Sequence, residues 1–131
     1  MTAKKLAEMI SGRKIGNEIT RDEERMAADA GLAVVFGYSD DMMEFCGAID
    51  DEIGCFDGGT TYIDKHGKII DLGSFPGGYQ GNLWQIEAVW HNFGGPAWTY
   101  ETDIPHETFD IYEDGEIWCV GIVFSMEDVG K

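Results

Sequence analysis

Residues 32–38 read LAVVFGY, an almost unbroken apolar run rich in β-branched side chains. A strand with one wet face alternates apolar and polar residues, whereas a strand buried on both faces is apolar throughout. The run also marks the place where the chain changes character, because helical patterns precede Gly31 and strand patterns follow it. The sequence therefore predicts a doubly buried strand here, in a fold with helices first and a sheet afterwards.

Two short helices are predicted before this strand. Thr2 is placed to cap a helix through AKKLAEMI (residues 3–10), which Gly12 would stop. Thr20 and Glu23 form a capping box for a second helix, and Gly31 supplies its C-terminal stop. On that second helix we expect the side chains of Met26, Ala27 and Ala30 to face the sheet.

Seven further segments read as strands separated by turns, and the Asp-Gly pair at 114–115 predicts a hairpin. In LWQIEAVW, period-2 alternation predicts that Trp84, Ile86, Ala88 and Trp90 face the core. The segments are MMEFCGAI (42–49), TTYID (60–64), IIDL (69–72), LWQIEAVW (83–90), AWTYETDI (97–104), TFDIY (108–112) and EIWCVGIVF (116–124).

Because the strands follow one another without crossover helices, the predicted class is α+β. We expect two N-terminal helices followed by a mainly antiparallel meander, strongly twisted or partly barrel-like. The length predicts one domain, 1–131, with a helical segment at 1–31, a β-rich segment at 32–124 and a C-terminal turn or tail at 125–131.

The formal net charge of −16 is unevenly distributed along the chain. Six of the nine basic residues lie in the first 25 positions, and between residues 26 and 130 only Lys65 and Lys68 oppose 20 acids. Such a segment repels nucleic acid and anionic membranes, since phosphate binding needs cations. With neither a long apolar run nor a signal-peptide pattern, the sequence predicts a soluble cytoplasmic protein.

No catalytic constellation is recognisable. The three cysteines (Cys46, Cys55, Cys119) form no CxxC pair and read as reduced, partly buried thiols, and His66, His91 and His106 fall in or beside turns. The stretch GAIDDEIGCFDGG (47–59) lacks the ligand spacing of a calcium loop. A looser divalent-cation site from Asp50, Glu52 and Asp57 stays open, and the abundance of carboxylates leaves a divalent-metal-dependent enzyme as a further alternative. The prediction is nevertheless no enzyme, no bound metal and no cofactor.

Two rows of acids form the first candidate site, a surface that mimics the charge of DNA and binds a basic partner. A charged face that only keeps the protein soluble is the open alternative. The first row is Asp40, Asp41, Glu44, Asp50, Asp51, Glu52 and Asp57, and the second row is Glu101, Asp103, Glu107, Asp110, Glu113, Asp114 and Glu116.

Aromatic residues concentrated between 75 and 100 form the second candidate site, a pocket that stacks a flat ligand such as a nucleotide. Such a pocket needs cations for phosphate, which the basic turn SGRK (11–14) would supply, if necessary across a subunit boundary in a homo-oligomer. The alternative is ordinary core and loop cover. The candidate residues are Arg13, Lys14, Phe75, Tyr79, Trp84, Trp90, His91, Trp98, Tyr100 and His106, and Phe93 belongs to the same aromatic concentration.

The segments GLAVVFGYSDDMMEFCGAIDDEIG (31–54) and WTYETDIPHETFDIYEDGEIWCVGIVF (98–124) resemble a family of small acidic proteins of bacteriophages and prophages. The resemblance covers most of the chain and assigns no chemistry to any residue. It implies a phage accessory protein that counters host defence, by mimicking DNA towards a CRISPR effector or by sequestering a nucleotide signal. The partner expected is a host defence protein with a basic surface, with a small nucleotide ligand as the alternative and no direct nucleic-acid or membrane binding.

Overall fold

The computed structural model of this chain describes residues 1–39, 42–49, 53–55, 59–91 and 97–131. In chain order the elements are α1 (Ala3–Ile10), β1 (Arg13–Lys14), α2 (Arg21–Asp29), β2 (Leu32–Ser39), β3 (Met42–Gly47), β4 (Ile53–Cys55), β5 (Thr60–Ile63), β6 (Trp84–Trp90), β7 (Trp98–Glu101), β8 (Glu107–Glu113) and β9 (Glu116–Ser125). Two 3-10 turns add Leu72–Ser74 and Met126–Asp128. The α+β class is confirmed.

Both helices begin where the sequence predicts. The Thr2 hydroxyl accepts a hydrogen bond from the Lys5 backbone at the start of α1. At the start of α2, Thr20 and Glu23 form the predicted reciprocal capping box, and Gly31 follows the helix with a φ of +69°. The predicted inner face of α2 is correct only for Ala27, because Met26 is 42% exposed and Ala30 also faces solvent.

The β2 strand is buried on both faces, as its apolar sequence predicts. Leu32, Ala33, Val34, Val35 and Phe36 are each at most 3% exposed. β2 pairs with β3 on one edge and with β9 on the other, both antiparallel. The strand therefore lies in the middle of the sheet, where no solvated face is available.

The nine strands form one mixed sheet with the path β4-β3-β2-β9-β7-β6-β5, and β8 and β1 lie off this path. The predicted meander is therefore wrong in its order, because the last strand lies between β2 and β7. The β7–β9 and β1–β8 pairings are parallel, whereas the six other strand pairings described are antiparallel. The path ends at β4 and β5, so within the described residues the sheet is not closed.

β9 has three neighbours, which divides the sheet into two branches. One edge of β9 pairs with β8 along its length, from Glu107 opposite Val123 to Glu113 opposite Glu116. Two strands pair with different parts of its other edge: β2 pairs with residues 122–125, and β7 pairs with β9 at Cys119. The branch β2-β3-β4 and the branch β7-β6-β5 both depend on β9, whose apolar side chains suit this central position.

Two other segments differ from expectation. The helical segment 1–31 contains β1, which pairs with β8 through Arg13 opposite Ile111. The segment IIDL makes an isolated bridge at Ile69 and no strand, because Asp71 accepts a hydrogen bond from the Gly73 backbone and starts a 3-10 turn. An aspartate that captures nearby backbone donors favours a turn over a ladder.

Candidate functional site

Most of the first acidic row lies outside the described residues. This applies to Asp40, Asp41, Asp50, Asp51, Glu52 and Asp57, and therefore also to the looser cation site proposed from three of them. Glu44 is described, and it lies partly buried in β3 opposite Phe36 of β2. The positions and exposure of the acids can therefore be described mainly for the second row.

The second acidic row lies at the surface. Asp110 is half-buried on β8, and the other six members are exposed: Glu101, Asp103, Glu107, Glu113, Asp114 and Glu116. Ion pairs in the described part of the chain join Arg13 to Glu23, Arg25 to Asp22 and Lys131 to Asp128, and none of them involves this row. Its negative charge is therefore not neutralised from within the described residues.

Two carboxylates face each other directly on the β7-β6-β5 branch. Glu87 of β6 lies opposite Glu101 of β7, and together with Gln85, Thr102 and Asp103 they line a surface depression of about 260 Å³. Like charges at directly opposed positions of a sheet destabilise it. We name Glu87, Glu101 and Asp103 the branch acids.

A second opposed pair closes the β8–β9 hairpin. Asp114 and Gly115 have φ angles of +51° and +82°, the signature of a tight two-residue turn, which confirms the predicted hairpin. The turn sets Glu113 directly opposite Glu116. We name residues 113–116 the hairpin tip, which presents three carboxylates in four positions.

Three of the four tryptophans meet beside this hairpin. The rings of Trp90 and Trp98, which are opposite residues of β6 and β7, have centroids 4.8 Å apart, and the ring of Trp118 lies 6.0 Å from that of Trp90. Trp98 is buried, but Trp90 is 47% exposed. Trp90 thus lies on the predicted face with the buried residues Ile86 and Ala88, but at the end of β6 its ring is half-exposed instead of buried.

A β-bulge sets the position of Trp118. In the β8–β9 ladder Tyr112 lies opposite Ile117 but Ile111 lies opposite Cys119, so Trp118 is the extra residue. The two adjacent residues of such a bulge point to about the same side of the sheet, whereas neighbours in a regular strand point to opposite sides. The register allows Trp118 to share a side with either Ile117 or Cys119, and the short separation of its ring from that of Trp90 assigns it to the side of Cys119. We name Trp90, Trp98 and Trp118 the tryptophan cluster.

The ten residues of the predicted ligand pocket fall into several groups. Trp90 and Trp98 belong to the tryptophan cluster, whereas Phe75 and Tyr79 pair with each other in the 72–79 loop with ring centroids 5.1 Å apart. Trp84 packs partly buried against the core and Tyr100 is buried within it. In the described part of the chain, no ring contact joins the loop pair to the cluster.

The polar members of that predicted pocket have other partners. His91 Nε2 lies 2.8 Å from the Thr99 hydroxyl, and His106 Nδ1 lies 2.7 Å from the Ile104 carbonyl oxygen. Lys14 lies on β1 opposite Tyr112 and is exposed. The basic turn therefore pairs with β8 through β1. The nucleotide pocket stays a prediction.

Arg13 is held in a bidentate ion pair with Glu23. Its Nη2 donates to Glu23 Oε2 at 2.8 Å while Nη1 donates to Oε1 and to the Glu18 carbonyl oxygen. The hydrogen bonds from Arg13, helped by those from Thr20, lower the pKa of Glu23 to about 2. This arginine is therefore occupied in joining β1 to the start of α2.

Two buried reactive groups lie inside the fold. Burial raises the pKa of the Cys119 thiol to about 11, so the thiol is protonated at neutral pH. Burial also raises the pKa of Tyr100, whose hydroxyl lies beside the Cys119 thiol. The expectation of a reduced, buried thiol is met at Cys119 and at Cys46.

Other features of the described residues are few. A depression of about 600 Å³ lies between α2 and the end of β3, lined by Arg21, Glu24, Arg25, Ala28, Gly47, Ala48 and Ile49. Among the described residues, no three histidine, cysteine, aspartate or glutamate side chains are grouped as a metal site would require. Neither described helix has the length and apolar composition needed to cross a membrane.

No protein-family model, curated protein or solved structure matches this chain. The resemblance to phage proteins therefore stays a prediction. Two residues of the candidate site were missed by sequence reasoning. Glu87 was predicted only as part of the polar face of a strand, and Trp118 only as one residue of the strand at 116–124. Because a bulge leaves no periodic signature, only the folded structure reveals where Trp118 points.

Proposed function

We propose that this protein is a non-enzymatic binding protein whose acidic surface binds the basic surface of a nucleic-acid-binding partner. The observation that supports the proposal is the presence of two pairs of directly opposed glutamates, Glu87 with Glu101 and Glu113 with Glu116. Each juxtaposition costs stability, and a face needed only for solubility gains nothing from carboxylates placed that close. Opposed carboxylates do resemble the dense negative charge that a nucleic-acid-binding protein recognises.

The geometry of β8 supports a surface of useful length. Its seven residues carry Glu107 at one end and Glu113 at the tip on one side of the strand, whereas Asp110 in the middle points to the other side. At about 3.4 Å per residue, the outer two are roughly 20 Å apart, a distance over which DNA presents many phosphates. By strand alternation the branch acids Glu87 and Glu101 point to the side of the sheet opposite to Glu113 and Glu116, so each opposed pair forms an acidic patch of its own.

The partner class that fits is a host defence protein, such as a CRISPR effector, in the cytoplasm of an infected or lysogenic bacterium. This assignment rests on the resemblance to phage proteins and on the charge. The physical requirement is only a cationic groove that otherwise holds nucleic acid.

The test is retention of host proteins on the immobilised protein, using lysate of phage-challenged cells. We expect a retained protein to be released by about 0.5 M salt, where the Debye length is only a few ångströms, and to be displaced by duplex DNA. A variant combining Glu101→Gln, Glu113→Gln and Glu116→Gln should retain less of it. Equal retention by that variant, or no displacement by DNA, would contradict the proposal.

A second candidate function is sequestration of a nucleotide signal, and the half-exposed ring of Trp90 favours it. Base stacking on an aromatic ring contributes about 1–3 kcal/mol per base. The position of Arg13 weighs against it, because this cation is already engaged by Glu23. Native mass spectrometry of the purified protein tests the alternative directly, since a bound nucleotide would add its own mass.

A further inference from the structure

The hairpin tip and the tryptophan cluster lie on the same face of the sheet. Opposite residues of neighbouring strands share a face, so Trp90, Trp98 and Cys119 form one row, with Ile111 of β8 beside them. Glu113 lies two residues beyond Ile111 and therefore points to the same side. Glu116 lies opposite Glu113, so it shares that side as well.

The bulge completes this arrangement. It turns Trp118 to the face of Cys119, and the 6.0 Å separation of the Trp118 and Trp90 rings agrees with that orientation. Glu116 precedes Trp118 by two residues, which in a strand corresponds to about 7 Å along the chain. The Trp118 ring therefore lies between the half-exposed ring of Trp90 and the two directly opposed carboxylates.

The chemistry of this face selects one kind of side chain. An indole ring attracts a cation over its face, and a flat cation also stacks on it. Carboxylates bind guanidinium groups through two parallel charge-assisted hydrogen bonds. A lysine ammonium makes the charge contact but lacks the planar surface, so it satisfies only part of the site.

We propose that the tryptophan cluster and the hairpin tip together bind an arginine side chain of a basic partner. Trp90 provides the stacking surface, and the rings of Trp98 and Trp118 pack against it. Glu113 and Glu116 provide the acceptors. The inference rests on the proposed function, because it names the group that the acidic surface recognises.

The test uses the full chain with short oligoarginine and oligolysine peptides of equal length, titrated while tryptophan fluorescence is recorded. We expect oligoarginine to bind more tightly than oligolysine at low salt, by roughly two- to fivefold, the contribution of one exposed cation–π contact. Trp90→Ala should reduce this preference to near unity. Phe75→Ala is the matched control, since Phe75 is also an exposed aromatic ring, at 39%, but lies in the 72–79 loop.

A pair of charge variants locates the acceptors. Glu113→Gln with Glu116→Gln should weaken oligoarginine binding more than Glu101→Gln with Asp103→Asn, although both pairs remove the same charge. If the second pair weakens binding more, or if Trp90→Ala keeps the arginine preference, the arginine site is wrong while the acidic surface stands. If neither peptide binds at low salt, the proposed function fails as well. Binding of a mononucleotide that quenches Trp90 would overturn the arginine site in favour of base stacking.

Discussion

At the scale of the residue, Gly121 shows why the β8–β9 register has its bulge. A Cβ at this position would lie 2.6 and 2.7 Å from the two Cε atoms of Phe109, the residue opposite. The Phe109 ring therefore lies over the space that a side chain would fill, and it is 1% exposed. Without the bulge, Gly121 would lie opposite Thr108, and the aromatic ring would lose this place.

We expect Gly121→Ala to lower the free energy of unfolding by roughly 1–3 kcal/mol, because a packed core does not accept an added methyl group without distortion. Gly77→Ala is the control, since nothing lies within 4 Å of the added atom and the backbone there is unstrained. Urea denaturation of both variants measures the difference. Equal midpoints would show that the Phe109 ring moves aside freely.

The Arg13–Glu23 ion pair leads to a pH dependence with a defined sign. Pairing lowers the pKa of Glu23 from its ordinary 4.5 to about 2, so its contribution is present above pH 4.5 and is lost as the pH falls towards 2. Glu23→Gln should cost roughly 1–3 kcal/mol near pH 7, as charged hydrogen bonds do. The difference in unfolding free energy between Glu23→Gln and the unmodified protein should shrink as the pH falls from 4.5 towards 2.

Thermal unfolding across the acid range measures this loss. Glu8→Gln is the control, because Glu8 is exposed on α1 and makes no ion pair in the described part of the chain. A stability difference for Glu23→Gln that stayed constant down to the lowest pH would show that the pairing does not depend on charge.

At the scale of the element, local signals in the sequence predicted most of the structure. The capping box at Thr20 and Glu23, the Asp-Gly turn and the apolar run of β2 all lie where the sequence indicates. The strand predicted for IIDL (69–72) does not form, because the Asp71 side chain caps a 3-10 turn and this capping competes with strand pairing. The branching around β9 was not predictable in this way, because strand order depends on contacts between distant segments.

The opposed glutamates of the β7-β6-β5 branch predict an inverse relation between stability and binding. Glu101→Gln should raise the free energy of unfolding by about 0.2–1 kcal/mol at low salt, since it removes the repulsion from Glu87. The gain should fade at about 0.5 M salt as the charges are screened. The same change should weaken binding to a basic partner.

Glu107→Gln is the matched control for this comparison. It also removes one exposed carboxylate, but Glu107 lies opposite Val123 rather than another acid. Chemical denaturation at two salt concentrations distinguishes the variants. An equal gain in both would assign the effect to net charge instead of the direct opposition.

At the scale of the whole molecule, the sequence predicted the negative charge and the acidic part of the candidate site, but not the tryptophan cluster. The acids of the second row are visible in the sequence itself, and their exposure follows from the free-energy cost of burying carboxylates. The tryptophan cluster is different, because Trp90, Trp98 and Trp118 come from three strands and meet only through the parallel β7–β9 pairing and a bulge. Neither of these leaves a local pattern in the chain.

The position of β9 among the strands has a consequence for how the protein is made. Translation proceeds from the N-terminal side, so the strand that joins both branches and β8 is synthesised after the eight other described strands. Until residue 125 has left the ribosome, β2-β3-β4 and β7-β6-β5 exist only as separate small sheets, which are marginal in water. The nascent chain therefore has to hold its aromatic and aliphatic strands unjoined until β9 is made, and its accumulated negative charge keeps neighbouring chains apart.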